Sequence, residues 1–380
     1  MRPALVRSCT WLLFGGLPVL LVVFYAVNLL GRGLGHSDFG TFWLAGRAVL
    51  HGHSPYPTIQ SLPEHATKTF APFVYPPVAA FLMAPLAALP FTAAKVVYLF
   101  VQLGALALAL RLLGVRDWRC YGLAFACPQV VESTAIGTIS LPLLLAVAAA
   151  WRYRDRVVAC GLLVASVVTA KLFLWPVWFW LVRTRRYRAA ALAVAFSVVA
   201  VLAAWSAIGF AGLRDYPTLL GRMTGLEGPH GYSIYALQRT FGVGSGTAGS
   251  VTWALGVIAL VVALRFVRDD RGSLISMVGV SFVATPILWP HYLVLLFVPV
   301  ALAAPRLSPL WLAPLALWAD TTAWSHGDAR RIVGELAIAA VAIGMAIHRS
   351  LPPGQRAAVG TTRLHSSECL QPTGATGSVA

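Results

Sequence analysis

The chain has 380 residues, 58% of them hydrophobic and only 11% charged, with a net charge of +16 and a mean hydropathy of +0.76. That balance excludes a water-soluble globule. Uncharged runs near the ~20 residues needed to cross a bilayer recur along the chain without strand-like alternation, so the sequence reads as an all-α polytopic membrane protein rather than a barrel.

Residues 11–30 form the first apolar run, behind Arg2 and Arg7 and without a small-x-small cleavage site, and are expected to remain as a signal anchor. With the N-terminus cytoplasmic, residues 31–92 become a large exported segment carrying His36, His51, His53 and His65. Within it, residues 73–90 are uncharged and long enough to span. Counting them as a span would export the densest arginine cluster, and Pro76, Pro77, Pro85 and Pro90 argue for a broken, interfacial or re-entrant pair of short helices.

A span over residues 93–112 leads back to Arg111, Arg116 and Arg119, and a hairpin over 120–151 ends at Arg152, Arg154 and Arg156. A second hairpin, 157–182, turns near Lys171 and ends at Arg183, Arg185, Arg186 and Arg188. Residues 189–210 lead to a second external loop, and 251–264 return to Arg265, Arg268 and Arg271. Further spans follow over 274–289, 292–304, 310–324 and 332–347, about twelve in all, with most basic residues inside as the positive-inside rule requires. Basic residues clustered this way orient helices; they do not indicate nucleic acid. Residues 1–349 are expected to form one membrane domain, and 350–380, rich in Gly, Ser, Thr, Pro and Ala, a disordered cytoplasmic tail.

The five cysteines are scattered and form no CxxC pair, so neither a disulfide framework nor a zinc site is indicated. The exported histidines lack carboxylate partners at helical spacing; no metal or other cofactor is expected. Three lysines and one asparagine in the whole chain suggest GC-rich bacterial coding, as in actinobacteria.

Carboxylates are few. Asp117, Asp155, Asp269 and Asp270 fall in the cytoplasmic arginine clusters as counter-charges, leaving Asp38, Glu64, Glu132, Asp215, Glu227, Asp320 and Asp328 at the outer face and Glu335 in the last span. Asp38 opens an amphipathic stretch with Phe39, Phe42 and Trp43 eight residues beyond the first span. Position alone leaves two readings: a helix N-cap, or a partly desolvated general base. Lys171, the one lysine of an apolar hairpin, is either a snorkelling residue or a buried cation with a ligand. His291, between apolar spans, is either a hydrogen-bonded structural residue or a ligand.

The run Asp38-Phe39-Gly40-Thr41-Phe42-Trp43-Leu44-Ala45-Gly46-Arg47, then Gly52-His53-Ser54-Pro55-Tyr56, Phe73-Val74-Tyr75-Pro76-Pro77 and Pro85-Leu86-Ala87-Ala88-Leu89-Pro90, resembles glycosyltransferase family 87. The resemblance continues through Ala170-Lys171, Arg185-Arg186-Tyr187-Arg188 and Thr285-Pro286-Ile287-Leu288-Trp289-Pro290-His291-Tyr292. Departures are Gly137-Thr138-Ile139-Ser140 for a usual Gly-Gln-x-Asn, Tyr232-Ser233 for an Asn-Gln pair, and Tyr292 for a second histidine.

The family comprises GT-C-type membrane enzymes of the bacterial cell envelope. Membership implies transfer of a sugar, mannose first, from a polyprenyl phosphate donor to a glycolipid or glycan hydroxyl at the outer face of the plasma membrane, with inversion. Asp38 would then be the general base. Lys171, His291 and Arg239 would meet the donor phosphate, and Tyr75, Tyr235 and Tyr292 are candidates for contact with sugar or lipid, against the alternative of ordinary interface aromatics. Competing readings are an arabinofuranosyltransferase, a flippase for a lipid-linked sugar and a silent scaffold. A flippase would be expected to carry mid-membrane ionisable residues and repeat symmetry.

Overall fold

The structure is a computed structural model that describes residues 2–34, 37–62, 72–319 and 328–350. The expected tail, together with Glu64, His36, His65 and Asp320, lies outside the described residues.

Every regular element among the described residues is helical. The first apolar run is continuous, α1 (Arg2–Trp11) passing through one π turn into α2 (Leu17–Gly31). α3 (Asp38–Leu50) and α4 (Pro77–Ala87) form the first outer segment. They pack closely because Gly46 has no side chain: a Cβ there would sit 2.8 Å from that of Ala87. Residues 73–90 thus contain one short helix rather than the expected pair. Pro77 takes the first helical position, where its missing N–H costs nothing, and the next helix, α5 (Phe91–Leu112), starts immediately after Pro90.

Lys95 of α5 donates to the carbonyls of Leu30 and Arg32 at 2.6 and 2.8 Å, closing the C-terminal end of α2. The hairpin over 120–151 is built from three pieces, α6 (Trp118–Phe125), α7 (Pro128–Ile136) and α8 (Ser140–Arg152). α7 and α8 meet at 118°. Gly137 makes that turn in the left-handed region at φ +72°, and Thr138 stitches it through contacts with Ser133 Oγ (2.7 Å) and Ser140 N–H (3.2 Å).

α9 (Val157–Ala170) and α10 (Val177–Arg183) flank the Lys171 turn, and α11 (Tyr187–Ala207) packs back on α9. α12 (Tyr216–Glu227) and α13 (Ile234–Thr240) lie in the second loop, followed by α14 (Ser245–Phe266) and α15 (Asp270–Ala284). A 3-10 segment (Pro290–Leu296) runs into α16 (Phe297–Ala303); α17 (Leu312–Ala316) and α18 (Ala329–Ser350) are the last helices among the described residues.

Five helices among the described residues are long and apolar enough to cross a membrane: Leu5–Gly31, Phe91–Leu112, Tyr187–Ala207, Ser245–Phe266 and Ala329–Ser350. The bent α7–α8 pair would make a sixth. Other expected span positions hold shorter apolar helices, such as Val157–Ala170 and Pro290–Ala303. Fourteen residues of helix reach only about 21 Å against a hydrocarbon core of about 30 Å. One continuous cluster of buried side chains joins these elements, from Leu29 to Ala346.

The arginine clusters are tied at one end of the bundle. Asp270 accepts from Arg154 (3.0 Å), Arg186 (2.7 Å) and Trp180 (2.8 Å), and Arg186 also reaches Asp155. Asp269, expected as a counter-charge, is instead the N-cap of α15, accepting from the Gly272 N–H.

Candidate active site

The N-terminus of α3 decides what Asp38 is free to do. Ser37, not Asp38, is the cap: its hydroxyl accepts the Gly40 N–H at 3.1 Å. Asp38 becomes the first helical residue, and its carboxylate makes no hydrogen bond among the described residues. The position is tightly fixed. A Cβ on Gly40 would lie 1.9 Å from the Leu34 carbonyl oxygen, and one on Gly137 would lie 2.5 Å from Phe39 Cβ. Phe39 stacks on Tyr98 at 4.9 Å, and the Tyr98 hydroxyl donates to the Thr138 carbonyl at 2.8 Å. The bend between α7 and α8 therefore braces the Asp38 helix.

Tyr75 approaches from the segment before α4. Tyr56 donates to the Tyr75 carbonyl at 2.8 Å and Tyr216 to that of Val74 at 3.0 Å, so the Pro55-Tyr56 motif holds the segment from which Tyr75 projects. Lys171 comes from the opposite side. As the C-cap of α9 it leaves the helix in an extended conformation, and only 6% of the residue is exposed. Its ammonium lies 3.6 Å from the centre of the Tyr292 ring and 5.0 Å from that of Tyr75, and it donates to the Tyr75 hydroxyl at 3.4 Å. Phe173 stacks on Tyr292 at 5.0 Å. The amine is thus held in an aromatic box, where cation–π attraction offsets part of its desolvation.

His291 stands on the 3-10 segment after Trp289, its ring edge-on to Tyr292 at 4.6 Å. Its Nδ1 is 3.6 Å from Oε1 of Glu132 on α7. The irregular stretch that delivers it is held by Ser233, whose hydroxyl donates to the Pro286 carbonyl, and by the Tyr232 N–H on the Leu288 carbonyl, both at 2.7 Å. The pair replacing the family's Asn-Gln thus anchors the segment bearing His291.

These groups act on one another. Burial pushes the Asp38 carboxyl above the usual carboxylate range; His291, Lys171 and Arg32 pull it back, and Glu132 adds to the rise. Burial brings the Lys171 amine down to about 7, against the pull of Asp38. Glu227, at the end of α12, is raised by burial and by the Asp38 charge. A carboxyl raised above its usual range beside two basic groups can take a proton and stabilise an anion in one enclosed space.

The structure therefore gathers Asp38, Lys171, His291, Tyr75 and Tyr292, and leaves Arg239 and Tyr235 aside. Arg239 donates to the Val243 carbonyl beyond its own helix. Tyr235 is buried against Gly228, where a Cβ would come within 2.6 Å of its ring. Among the described residues no cluster of His, Cys, Asp or Glu has the arrangement to hold a metal ion. Glu132, Arg32 and Glu227 join the site without having been singled out. Arg32, a cation immediately after the first span, was the legible signal among them.

The model of "Glycosyltransferase family 87" matches residues 73–299, which takes in Tyr75, Glu132, Lys171, His291 and Tyr292 and begins after Asp38. The chain is also 27% identical over 269 residues to a polyprenol-phosphate-mannose-dependent alpha-(1-2)-phosphatidylinositol pentamannoside mannosyltransferase of Mycolicibacterium smegmatis, covering 65% of this chain and 60% of that one. No solved structure matches. With the family model covering more than half its length, the chain belongs to glycosyltransferase family 87.

Proposed function

We propose that this protein is a membrane glycosyltransferase that moves a sugar, mannose first, from a polyprenyl phosphate to an acceptor hydroxyl, working at the outer face of the bacterial plasma membrane. The single observation that carries the reading is the Asp38 carboxylate, not used as the helix cap and free of hydrogen bonds among the described residues, within electrostatic reach of Lys171 and His291. The mannosyl donor and the α linkage come from the name of the mycobacterial relative.

In this reading Asp38 accepts the proton of the acceptor hydroxyl as its oxygen bonds to the anomeric carbon. The bond from that carbon to the phosphate oxygen breaks, its electron pair leaves with the polyprenyl phosphate, and the configuration inverts from β to α. Lys171 and His291 face the charge growing on the phosphate; such donors act most strongly where water is excluded. Tyr75 and Tyr292 wall the sugar. An apolar groove between α4 and α11, lined by Val78, Phe81, Ala200 and Ala204, opens three residues beyond Tyr75 and suits the prenyl chain.

The test uses membranes carrying wild type or Asp38→Ala at matched expression, supplied with polyprenyl-phosphate-mannose and a lipid extract. Wild type transfers label and the variant loses roughly two to four orders of magnitude in rate, the contribution of a positioned general base. Equal transfer by both removes Asp38 from the base role. Transfer only from a polyprenyl-phosphate-arabinose donor moves the sugar assignment, and transfer from neither donor overturns the enzymatic reading.

A further inference from the structure

His291 is 4% exposed, and neither ring nitrogen has a hydrogen-bond partner among the described residues. Buried polar groups in folded proteins are almost always satisfied, and those that are not tend to mark sites where something else binds. Two carboxylates act on the ring: Asp38, which feels its charge, and Glu132, whose Oε1 stands 3.6 Å from Nδ1, beyond hydrogen-bond length but within ion-pair reach.

The two partners are held very differently. Glu132 sits on α7, started by Pro128, ended by left-handed Gly137 and stitched by the Ser133–Thr138 contact. Its side chain is one-third exposed and makes no hydrogen bond among the described residues. His291 sits on a 3-10 segment whose neighbouring loop is held by Ser233 and Tyr232; its ring packs edge-on to Tyr292, and among the described residues no hydrogen bond selects which nitrogen it presents. A carboxylate cannot serve the donor phosphate directly, since like charges repel.

We propose that Glu132 is a positioning residue. It accepts the Nδ1–H of His291, setting tautomer and ring orientation so that Nε2 is the nitrogen turned to the departing phosphate. Carboxylate and imidazole divide the work this way wherever a histidine must present one nitrogen to a substrate. The inference rests on the reading of this site as a donor-phosphate pocket and adds to it the group that aims one of its donors. The 3.6 Å separation is expected to close when an anion on Nε2 draws the ring into place.

The experiment compares Glu132→Ala, Glu132→Gln, His291→Ala and the double variant Glu132→Ala/His291→Ala in the full-length purified protein. Two readouts are taken: kcat/KM for transfer from polyprenyl-phosphate-mannose, and affinity for farnesyl phosphate, a soluble stand-in for the leaving group, by thermal shift. E132A is expected to lose roughly 10- to 100-fold in kcat/KM, the range of a hydrogen bond to a charged group. It should also weaken farnesyl phosphate binding, and E132Q, whose amide oxygen still accepts from Nδ1–H, should recover to within a few fold of wild type. In the His291→Ala background the same Glu132 substitution should cost less than twofold, because a residue acting through another has nothing left to act on.

An equal loss in both backgrounds overturns the inference, as does failure of E132Q to rescue while it melts like wild type. A wild type that neither transfers sugar nor binds farnesyl phosphate overturns the pocket reading itself. A wild type that does both, with E132A indistinguishable from it, overturns only the role of Glu132.

Discussion

The Lys171 amine gives the most discriminating test, because its burial predicts the shape of a pH profile as well as a loss of rate. The groups acting on it are the Asp38 carboxyl and the rings of Tyr75 and Tyr292; His291, Glu132 and Arg32 act in turn on Asp38. A phosphodiester donor keeps one negative charge throughout the working range, so the titration belongs to the protein. Asp38 must be ionised to act, and kcat/KM should rise with pH through its elevated pKa. Lys171 must be protonated to meet the phosphate, and with its pKa near 7 kcat/KM should fall above neutrality. At one unit above that value only about one amine in eleven is charged, and each further unit removes about tenfold more. In Lys171→Arg the guanidinium stays charged across the range and keeps its attraction to aromatic faces, so the alkaline limb should move out of view whatever happens to the maximum rate. The assay is initial-rate transfer with detergent-solubilised protein from about pH 5.5 to 9, read for shape rather than height. A wild-type profile flat from about pH 6.5 to 9, or an alkaline limb that survives in K171R, would refute the argument that a buried amine carries the charge.

Two further substitutions separate the site from its scaffold. Gly137→Ala places a side chain at φ +72° and 2.5 Å from Phe39 Cβ, costing about 1–2 kcal/mol in the backbone alone, and should lower both the melting temperature and kcat because it displaces the helix bearing Asp38. Asp270→Ala strips partners from Arg154, Arg186 and Trp180 at the far end of the bundle. It should cost about 1–3 kcal/mol in thermal stability while leaving kcat/KM of the folded protein unchanged, checked by melting curves beside transfer assays.

Asp38, Lys171 and His291 were legible through the family resemblance, since position alone left each an ordinary reading as cap, snorkelling residue or structural histidine. The division of labour between Ser37 and Asp38 was not, since both are good caps and only the backbone geometry chooses. Glu132 was visible as an outer carboxylate, but in a hairpin read as two plain spans it had no partner. The turn at Gly137 folds α7 against the segment of His291, and Pro128 and Gly137 were the local marks of that break. Arg239 failed for the converse reason: charge in an outer loop says nothing about where a long side chain turns, and its own loop carbonyl claims it. Hydropathy also counts residues, not helix continuity. Pro286, Pro290 and Pro299 interrupt what the apolar pattern treats as adjoining spans, leaving irregular and 3-10 backbone where two long helices were expected.

The departure at Tyr292 links these strands. A second histidine at that position would offer another nitrogen to the phosphate; the phenol instead offers a π face, stacked by Phe173 on one side and capped by the Lys171 ammonium at 3.6 Å. Cation–π attraction in a desolvated setting is worth about 2 kcal/mol, enough to hold a substantial charged fraction of an amine that burial alone would neutralise. On the proposed reading the phenol exchanges one direct donor for support of another. It leaves the imidazole of His291 as the donor beside Lys171, which makes its orientation consequential. A site with two imidazoles could tolerate a freely turning ring, whereas a site with one needs that ring aimed, and Glu132 is the group placed to aim it.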